Sequence, residues 1–462
     1  MNFNIQTDSR KIKKGDIFVA LKTIEGDGHD YIESAIKNGA SKIIAMHGNY
    51  DIETEIVKDT RIYLEKYLID NYKKYIDKLN IIAITGTNGK TTTAHLMYQA
   101  LNKLGKKCVN IGGLGYYSSK GKEFNLDNTV PDLCDTYSLL MKAYNDGYEY
   151  VSMEASSHGL FGRRLVGIEY DYAIFSNLTR DHLDYHGTME DYALAKQLLF
   201  KRVKKDGKAL ICTDDSYKDY FLLEENTNIT FGFEYCDYQV ISFKMNIDGS
   251  NFEVKNNKNI YSFVTSLVGE YNILNLMPVI IILQDMGYSI EEIKEVVSSV
   301  ILPDGRLERI NHGTNNIYID YAHTPDGLEK VVGTVAKITK GDTYVVFCCR
   351  GSRDVGRRAG MMQAATDLAK LAIVTNDNIY QEDPMNVIKD MLEGLENTNY
   401  EIIPDRKKAI YIGIDLLEEN DSLLVLGHGH EETLTLEDGK KIPFVEKDII
   451  LDYLKKETSN LI

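Results

Sequence analysis

Residues 81–92 read Ile81-Ile82-Ala83-Ile84-Thr85-Gly86-Thr87-Asn88-Gly89-Lys90-Thr91-Thr92, and this stretch decides the fold. Four consecutive apolar residues predict a buried strand. A glycine-rich turn follows, then a helical pattern from Ala94 to Leu104 that stops at Gly105. In a strand–turn–helix context the loop and helix N-terminal N–H groups face an anion. Gly86, Thr87, Asn88, Gly89, Lys90, Thr91 and Thr92 are therefore expected at the phosphates of ATP. Lys90 supplies a point charge for the outer phosphates. The Thr91 hydroxyl suits Mg²⁺, which keeps waters and takes few protein oxygens. The spacing is a shortened Gly-x-x-Gly-Lys-Thr. An ordinary turn before a helix is the competing reading, and four matching residues after an apolar strand argue against it.

Short apolar runs alternating with helical patterns recur on both sides, which predicts an α/β fold with largely parallel sheets. Ile17–Ala20, a helix over 31–38 and Lys42–Ala45 form an early unit, closed by a helix over 61–78. Late strands are expected at 317–320, 344–347, 372–375 and 423–426. The chain has 462 residues, room for roughly three domains. The boundaries are placed at 1–78, 79–305 and 306–462, the second at the turn Pro303-Asp304-Gly305.

Composition narrows the function. The chain carries 53 Lys+Arg against 69 Asp+Glu, a net charge of −16. Such a chain is a poor general binder of nucleic acid, whose affinity comes from neutralising phosphates. The longest apolar stretch, Leu276 to Leu283, is too short to span a bilayer and contains Pro278. The six cysteines form no CxxC pair, so free thiols in a cytoplasmic protein are expected.

Two polar segments carry further chemistry. A strand over 148–153 runs into Glu154-Ala155-Ser156-Ser157-His158-Gly159, which puts a carboxylate at the strand's carboxyl end, where α/β sheets bind ligands. A strand over 172–176 leads to Arg180-Asp181-His182-Leu183-Asp184-Tyr185-His186. Glu154 and His182 are expected to share Mg²⁺ beside the triphosphate, with Thr91 on a neighbouring ion. Either segment alone reads as a polar loop or cap; together, after a phosphate loop, they read as a site. Thr188 is expected to cap the next helix. Lys196, two turns in, is either a solvated helix lysine or a site residue.

The three segments 85–92, 154–160 and 176–196 resemble the central domain of the Mur ligases, most closely the branch that adds the third residue of the peptidoglycan precursor's peptide. The resemblance covers nearly the whole chain. Residues 7–10, 15–21 and 27–29 are similar to that family's uridine-nucleotide domain, and 320–326 to its third-domain ATP contact. It implies a three-domain architecture: an N-terminal UDP-binding domain, a central P-loop ATPase domain and a C-terminal Rossmann-like domain. It implies Glu154, His182 and a carbamylated Lys196 (N6-carboxylysine) as Mg²⁺ ligands, with Lys90 catalytic beside them. It implies Asn272, Asn275, Arg306, Asp320 and His323 at ATP, and Ser9, Thr129, Ser156 and Arg164 at the UDP-linked substrate. The implied reaction joins a free amino acid to UDP-N-acetylmuramoyl-L-alanyl-D-glutamate through an acyl phosphate.

The amino-acid contacts implied are Arg358, Asn378, Tyr380, Gly427 and Glu431. Members of the family that add meso-diaminopimelate carry Asp-Asn-Pro-Arg, whose Arg reads the distal carboxylate. Here the run is Asp377-Asn378-Ile379-Tyr380, so lysine or another amino acid without that carboxylate is expected. The basic loop 349–358 offers Arg353 and Arg357 as other sources of the charge. Val130, Gly162 and Ile379-Tyr380 depart from the family pattern. They keep two alternatives open: a ligase of another carboxylate, as in folylpolyglutamate or cyanophycin synthetases, and a non-catalytic nucleotide-binding paralog.

Overall fold

The structure is a computed structural model that describes residues 3–23, 26–351, 354–380, 382–436 and 438–460. Its organising element is an eleven-stranded sheet with Asn80–Thr85 near the middle. That strand lies between Tyr150–Glu154 and Tyr170–Phe175, parallel to both. Ile81 to Ile84 are fully buried or nearly so, because helices cover both faces. On one side Lys90–Lys103 and Glu270–Asp285 pack with Leu96, Met97, Leu276 and Ile280 into one core. On the other, Leu64, Leu68 and Tyr72 of the helix Thr60–Ile76 join Val109, Tyr137 and Phe175 in a second. Each such apolar side chain contributes roughly 1.5–3 kcal/mol by leaving water.

The edges of this sheet depart from the expected parallel order. Gly115–Ser118 and Gly121–Phe124 add antiparallel strands at one end. Tyr238–Asn246, Gly249–Asn256 and Asn259–Thr265 form an antiparallel meander at the other. Antiparallel hairpins need only short turns, such as Ile247-Asp248, and one face can stay wet. Their apolar residues therefore alternate instead of running together.

A smaller sheet, wholly parallel, is built from Ile5–Gln6, Ile17–Val19, Lys42–Ala45 and Glu53–Ile56. A six-stranded sheet has the order Glu308–His312, Asn315–Asp320, Ser422–Leu426, Thr343–Phe347, Leu371–Val374, Tyr400–Ile402. All its pairings after the first hairpin are parallel. Its strands aim their carboxyl ends at one rim, and four of them feed the loops that hold Tyr321, Arg350, Asn378 and Gly427. None of the six cysteines is paired. Among the described residues no helix is long and apolar enough to cross a membrane.

Candidate active site

Local sequence shapes the phosphate loop. Gly86 and Gly89 take φ of 150° and 86°, and a Cβ on Gly89 would strike Asn275 Oδ1. Gly89 caps the helix without a side-chain bond, which leaves the first-turn N–H groups facing outward. The Asn88 N–H donates to Asn177 Oδ1 at 2.9 Å, which ties the loop to the neighbouring strand's exit. Lys90 Nζ curls over the loop and donates to the carbonyls of Gly86 (2.9 Å) and Thr87 (2.8 Å). Burial lowers its pKa.

The Thr91 hydroxyl donates to Glu154 Oε2 at 3.0 Å, and the other Glu154 oxygen accepts from the Gly113 N–H at 2.7 Å. A Cβ at Gly113 would lie 3.6 Å from Glu154, 3.7 Å from Thr129 and 4.0 Å from Thr91, so this glycine leaves open the point where the three converge. Sequence reading did not single out Gly113. His182 sits beside Asp181, with 3.3 Å between Nε2 and Oδ2. Its backbone is left-handed (φ 55°), a sign of a constrained loop. Burial, with help from His158 and the nearby lysines, pushes its pKa down to about 2, so the imidazole is neutral and keeps a free lone pair. Lys196 is 1% exposed, and its Nζ donates to Gly86 O at 2.7 Å. Burial and the adjacent Lys90 drive its pKa well below the lysine range. The solvated-lysine alternative is thereby removed. Thr188 caps the helix Met189–Gln197 that carries Lys196, accepting from the Asp191 N–H.

Lys90, Thr91, Glu154, Asp181 and His182 line one cleft of about 1210 Å³ between the central and six-stranded sheets, and Lys196 lies buried beneath the loop at Gly86. Asn272 and Asn275 form one wall, bonded to each other at 3.1 Å. Arg306 crosses from the six-stranded side and donates to Thr91 Oγ1 at 3.3 Å. Asp320 accepts the N–H groups of Leu307 and Ala322 and lines the same wall as His323, whose pKa burial lowers to about 3. Thr129, Ser156 and Arg164 line the opposite mouth, where Arg164 donates to Val130 O and Ser156 caps a short helix. Ser9 is buried in the first sheet's unit and does not line this cleft.

Three expected amino-acid contacts are engaged elsewhere. Arg358 is buried and held by Glu382 and Asp390 at 2.7–2.8 Å, away from the cleft wall. Glu431 already accepts from Arg350 (2.7 Å), Tyr321 (3.1 Å) and Asn378 (2.6 Å). Asn378 is spent on that bond and on the Thr435 N–H. Gly427 (φ 103°) offers its carbonyl to Arg350, and Tyr380 holds a left-handed backbone (φ 46°). Arg353 lies outside the described residues. Sequence reading missed the buried pair that ties the two sheets together, Arg357 Nη1 to Asp181 Oδ1 at 2.9 Å. Its signal was the density of arginine in the loop 349–358.

No group of three or more His, Cys, Asp or Glu among the described residues could hold a metal by itself. Thr91, Glu154 and His182 line the same cleft, and the Thr91 hydroxyl is bonded to Glu154.

A helix N-terminus behind a glycine turn, a buried carboxylate and arginines from a second sheet meet in one cleft, an arrangement suited to a nucleotide-dependent ligase. Three family models match in sequence order: the Mur ligase family catalytic domain over residues 4–74, the Mur ligase middle domain over 84–283 and the glutamate ligase domain over 305–429. The chain belongs to the Mur ligase family, and it is an ATP-dependent amide ligase. It is 38% identical to the UDP-N-acetylmuramoyl-L-alanyl-D-glutamate–2,6-diaminopimelate ligase of Clostridium perfringens, over 98% of this chain and 95% of that protein. The ligase of the same name from Fusobacterium nucleatum is 36% identical, over 96% and 92%. A solved structure of a ligase of this name superposes with a TM-score of 0.68 at 29% identity, covering 99% of this chain and 95% of the other. The MurF ligase of Thermotoga maritima in complex with ADP shares the fold, with a TM-score of 0.72 at 17% identity over 99% and 98%.

Proposed function

We propose that this ligase adds the third amino acid to UDP-N-acetylmuramoyl-L-alanyl-D-glutamate in peptidoglycan synthesis, and that the amino acid is meso-diaminopimelate. The relatives' names support diaminopimelate over the lysine expected from Tyr380. The observation that carries the ligase reading is the contact of Glu154 and Arg306 with one Thr91 hydroxyl at a helix N-terminus. It gathers, where two sheets meet, what two mutually repelling anions need in order to react.

The loop N–H groups and Lys90 hold the outer phosphates of ATP. Asn272 and Asn275 face the adenine side, and Asp320 and His323 close from the third domain. Thr91, Glu154 and His182, with a carbamate on Lys196, would hold Mg²⁺, which when bound neutralises phosphoryl oxygens. A neutral, desolvated amine is the form that adds to CO₂, losing a proton as the C–N bond forms, and the product places an anion beside Lys90. Thr129, Ser156 and Arg164 orient the UDP-linked peptide, whose uridine end lies toward Ser9. The peptide carboxylate attacks the γ-phosphorus, the bond to ADP breaks, and an acyl phosphate forms. The amine of the amino acid then attacks the acyl carbon and loses a proton as phosphate leaves. The chain's part is alignment and charge compensation. The three units of this reading are residues 1–78, 79–305 and 306–462, and the enzyme works in the cytoplasm, where ATP and UDP-linked precursors are found.

The test is release of ADP by the purified protein with ATP, Mg²⁺, UDP-N-acetylmuramoyl-L-alanyl-D-glutamate and one amino acid at a time. The expected product has the mass of the tripeptide nucleotide. ADP release that needs no amino acid, or occurs only with a folate-type carboxylate, overturns the assignment.

A further inference from the structure

Arg350 leaves the carboxyl end of the strand Thr343–Phe347 and runs along the cleft wall. Its side chain is only 7% exposed. Nη1 donates to the Tyr321 hydroxyl at 3.1 Å, and Nη2 donates to Gly427 O at 3.1 Å and Glu431 Oε1 at 2.7 Å. A guanidinium has five N–H donors, so two remain. One of them, on Nε, is buried without a hydrogen-bond partner, 3.5 Å from Asp377 Oδ2.

This arrangement reverses the chemistry expected of the pocket. Glu431 does not line the cleft, and Arg350 does. Glu431 accepts from the guanidinium, and of the two it is the guanidinium that lines this wall of the cleft. The side chain of lysine ends in an ammonium alone, whereas the distal end of diaminopimelate also carries a carboxylate, for which the guanidinium is a charge-assisted donor. Arg306 and Arg350 lie against the same Tyr321 ring, at 4.6 and 4.8 Å from its centroid. Arg306 touches Thr91 at the phosphoryl end. An amino acid whose amine reaches that end extends its side chain past Tyr321 toward Arg350.

We infer that Arg350 is a specificity-determining residue that binds the side-chain carboxylate of the incoming amino acid. The inference rests on the ligase reading above and gives the pocket its preference for a dicarboxylic substrate although Tyr380 carries no charge for it.

The experiment measures kcat and KM for diaminopimelate, lysine and ATP in the wild type, Arg350→Gln and Arg350→Lys. In Arg350→Gln the KM for diaminopimelate should rise about 30-fold, the loss of one charge-assisted bond, while that for lysine changes less than about threefold. The KM for ATP should hold, and Arg350→Lys should recover part of the diaminopimelate affinity. Equal losses for both amino acids, or a parallel rise in the ATP KM, would assign Arg350 a merely structural part and overturn the inference. If Arg350→Gln does not fold, the diaminopimelate-to-lysine ratio of Arg350→Lys decides, and an unchanged ratio counts against it. A wild type that prefers lysine also overturns it. A wild type that releases no ADP with either amino acid defeats the ligase reading itself, before any variant is compared.

Discussion

The two ends of the cleft are built in different ways. At the phosphate end a contiguous stretch of backbone sets the geometry, two glycines in left-handed conformations and the opening turn of one helix within residues 86–92, and Lys90, Glu154 and Lys196 are bonded directly to it. At the end proposed for the amino acid the geometry is set by side chains from four loops far apart in sequence: Tyr321 and Arg350 line the cleft, and Glu431, bonded to both, and Asn378, bonded to Glu431, do not line it. Backbone geometry is dictated by neighbours in the chain and tolerates no replacement. A side-chain network can be re-wired by one substitution while its loops stay in place. The phosphate end should therefore fail outright when altered, and the amino-acid end should change preference.

The largest effects are expected at the phosphate end. Lys90→Ala and Glu154→Ala should each lower kcat by at least about 10³-fold, the scale for removing a preorganised electrostatic group. Circular dichroism should be unchanged, because neither side chain supports a core. Near-normal turnover in either variant would remove that residue from the mechanism. Lys196→Ala should be comparably inactive. Short-chain carboxylic acids should restore part of its activity if a carbamate is the working group, and a lack of rescue under saturating acid would count against the carbamate.

An intermediate effect is expected where the two ends are joined. Arg357 and Asp181 are both nearly fully buried and bridge the two sheets, one residue from His182. A charged hydrogen bond of this kind contributes roughly 1.5–3 kcal/mol. Its loss in Arg357→Met should fall on closure of the domains, lowering kcat/KM about 10- to 100-fold for ATP and amino acid alike. A loss confined to one substrate would show that the pair does not couple the ends.

The same contrast explains what was legible in the sequence. Strand Asn80–Thr85, its turn and its helix are encoded contiguously, so their position and the anion-facing geometry could be read directly. Glu154 was legible because it ends an apolar run. The antiparallel meander at 238–265 was not, because its residues alternate between a buried and a wet face and give no continuous run. Nor was the engagement of Glu431 and Arg358. A sequence shows that a loop is rich in arginine but not which arginine meets which carboxylate. Arg357, Arg358 and Arg350, within nine residues of one another, point to three different partners.

The smallest effect compares the two ends through acid. His95 on the phosphate-loop helix and His430 beside the amino-acid loop have no hydrogen-bond partner for Nδ1. Burial lowers their pKa values to about 4 and about 3. Both are depressed from about 6.5, so the unfolded chain binds protons that the folded chain refuses. Stability is full above pH 6.5 and declines as the pH falls toward those values. The Tm should drop between pH 7 and pH 5, and His95→Gln and His430→Gln should each flatten that slope. Arg306 and Arg350 add to the burial that depresses His430, whereas burial alone acts on His95. Added salt should therefore reduce the acid sensitivity that His430→Gln removes and leave that removed by His95→Gln nearly unchanged. Equal salt responses would mean that Arg306 and Arg350 do not add to the acid sensitivity of His430.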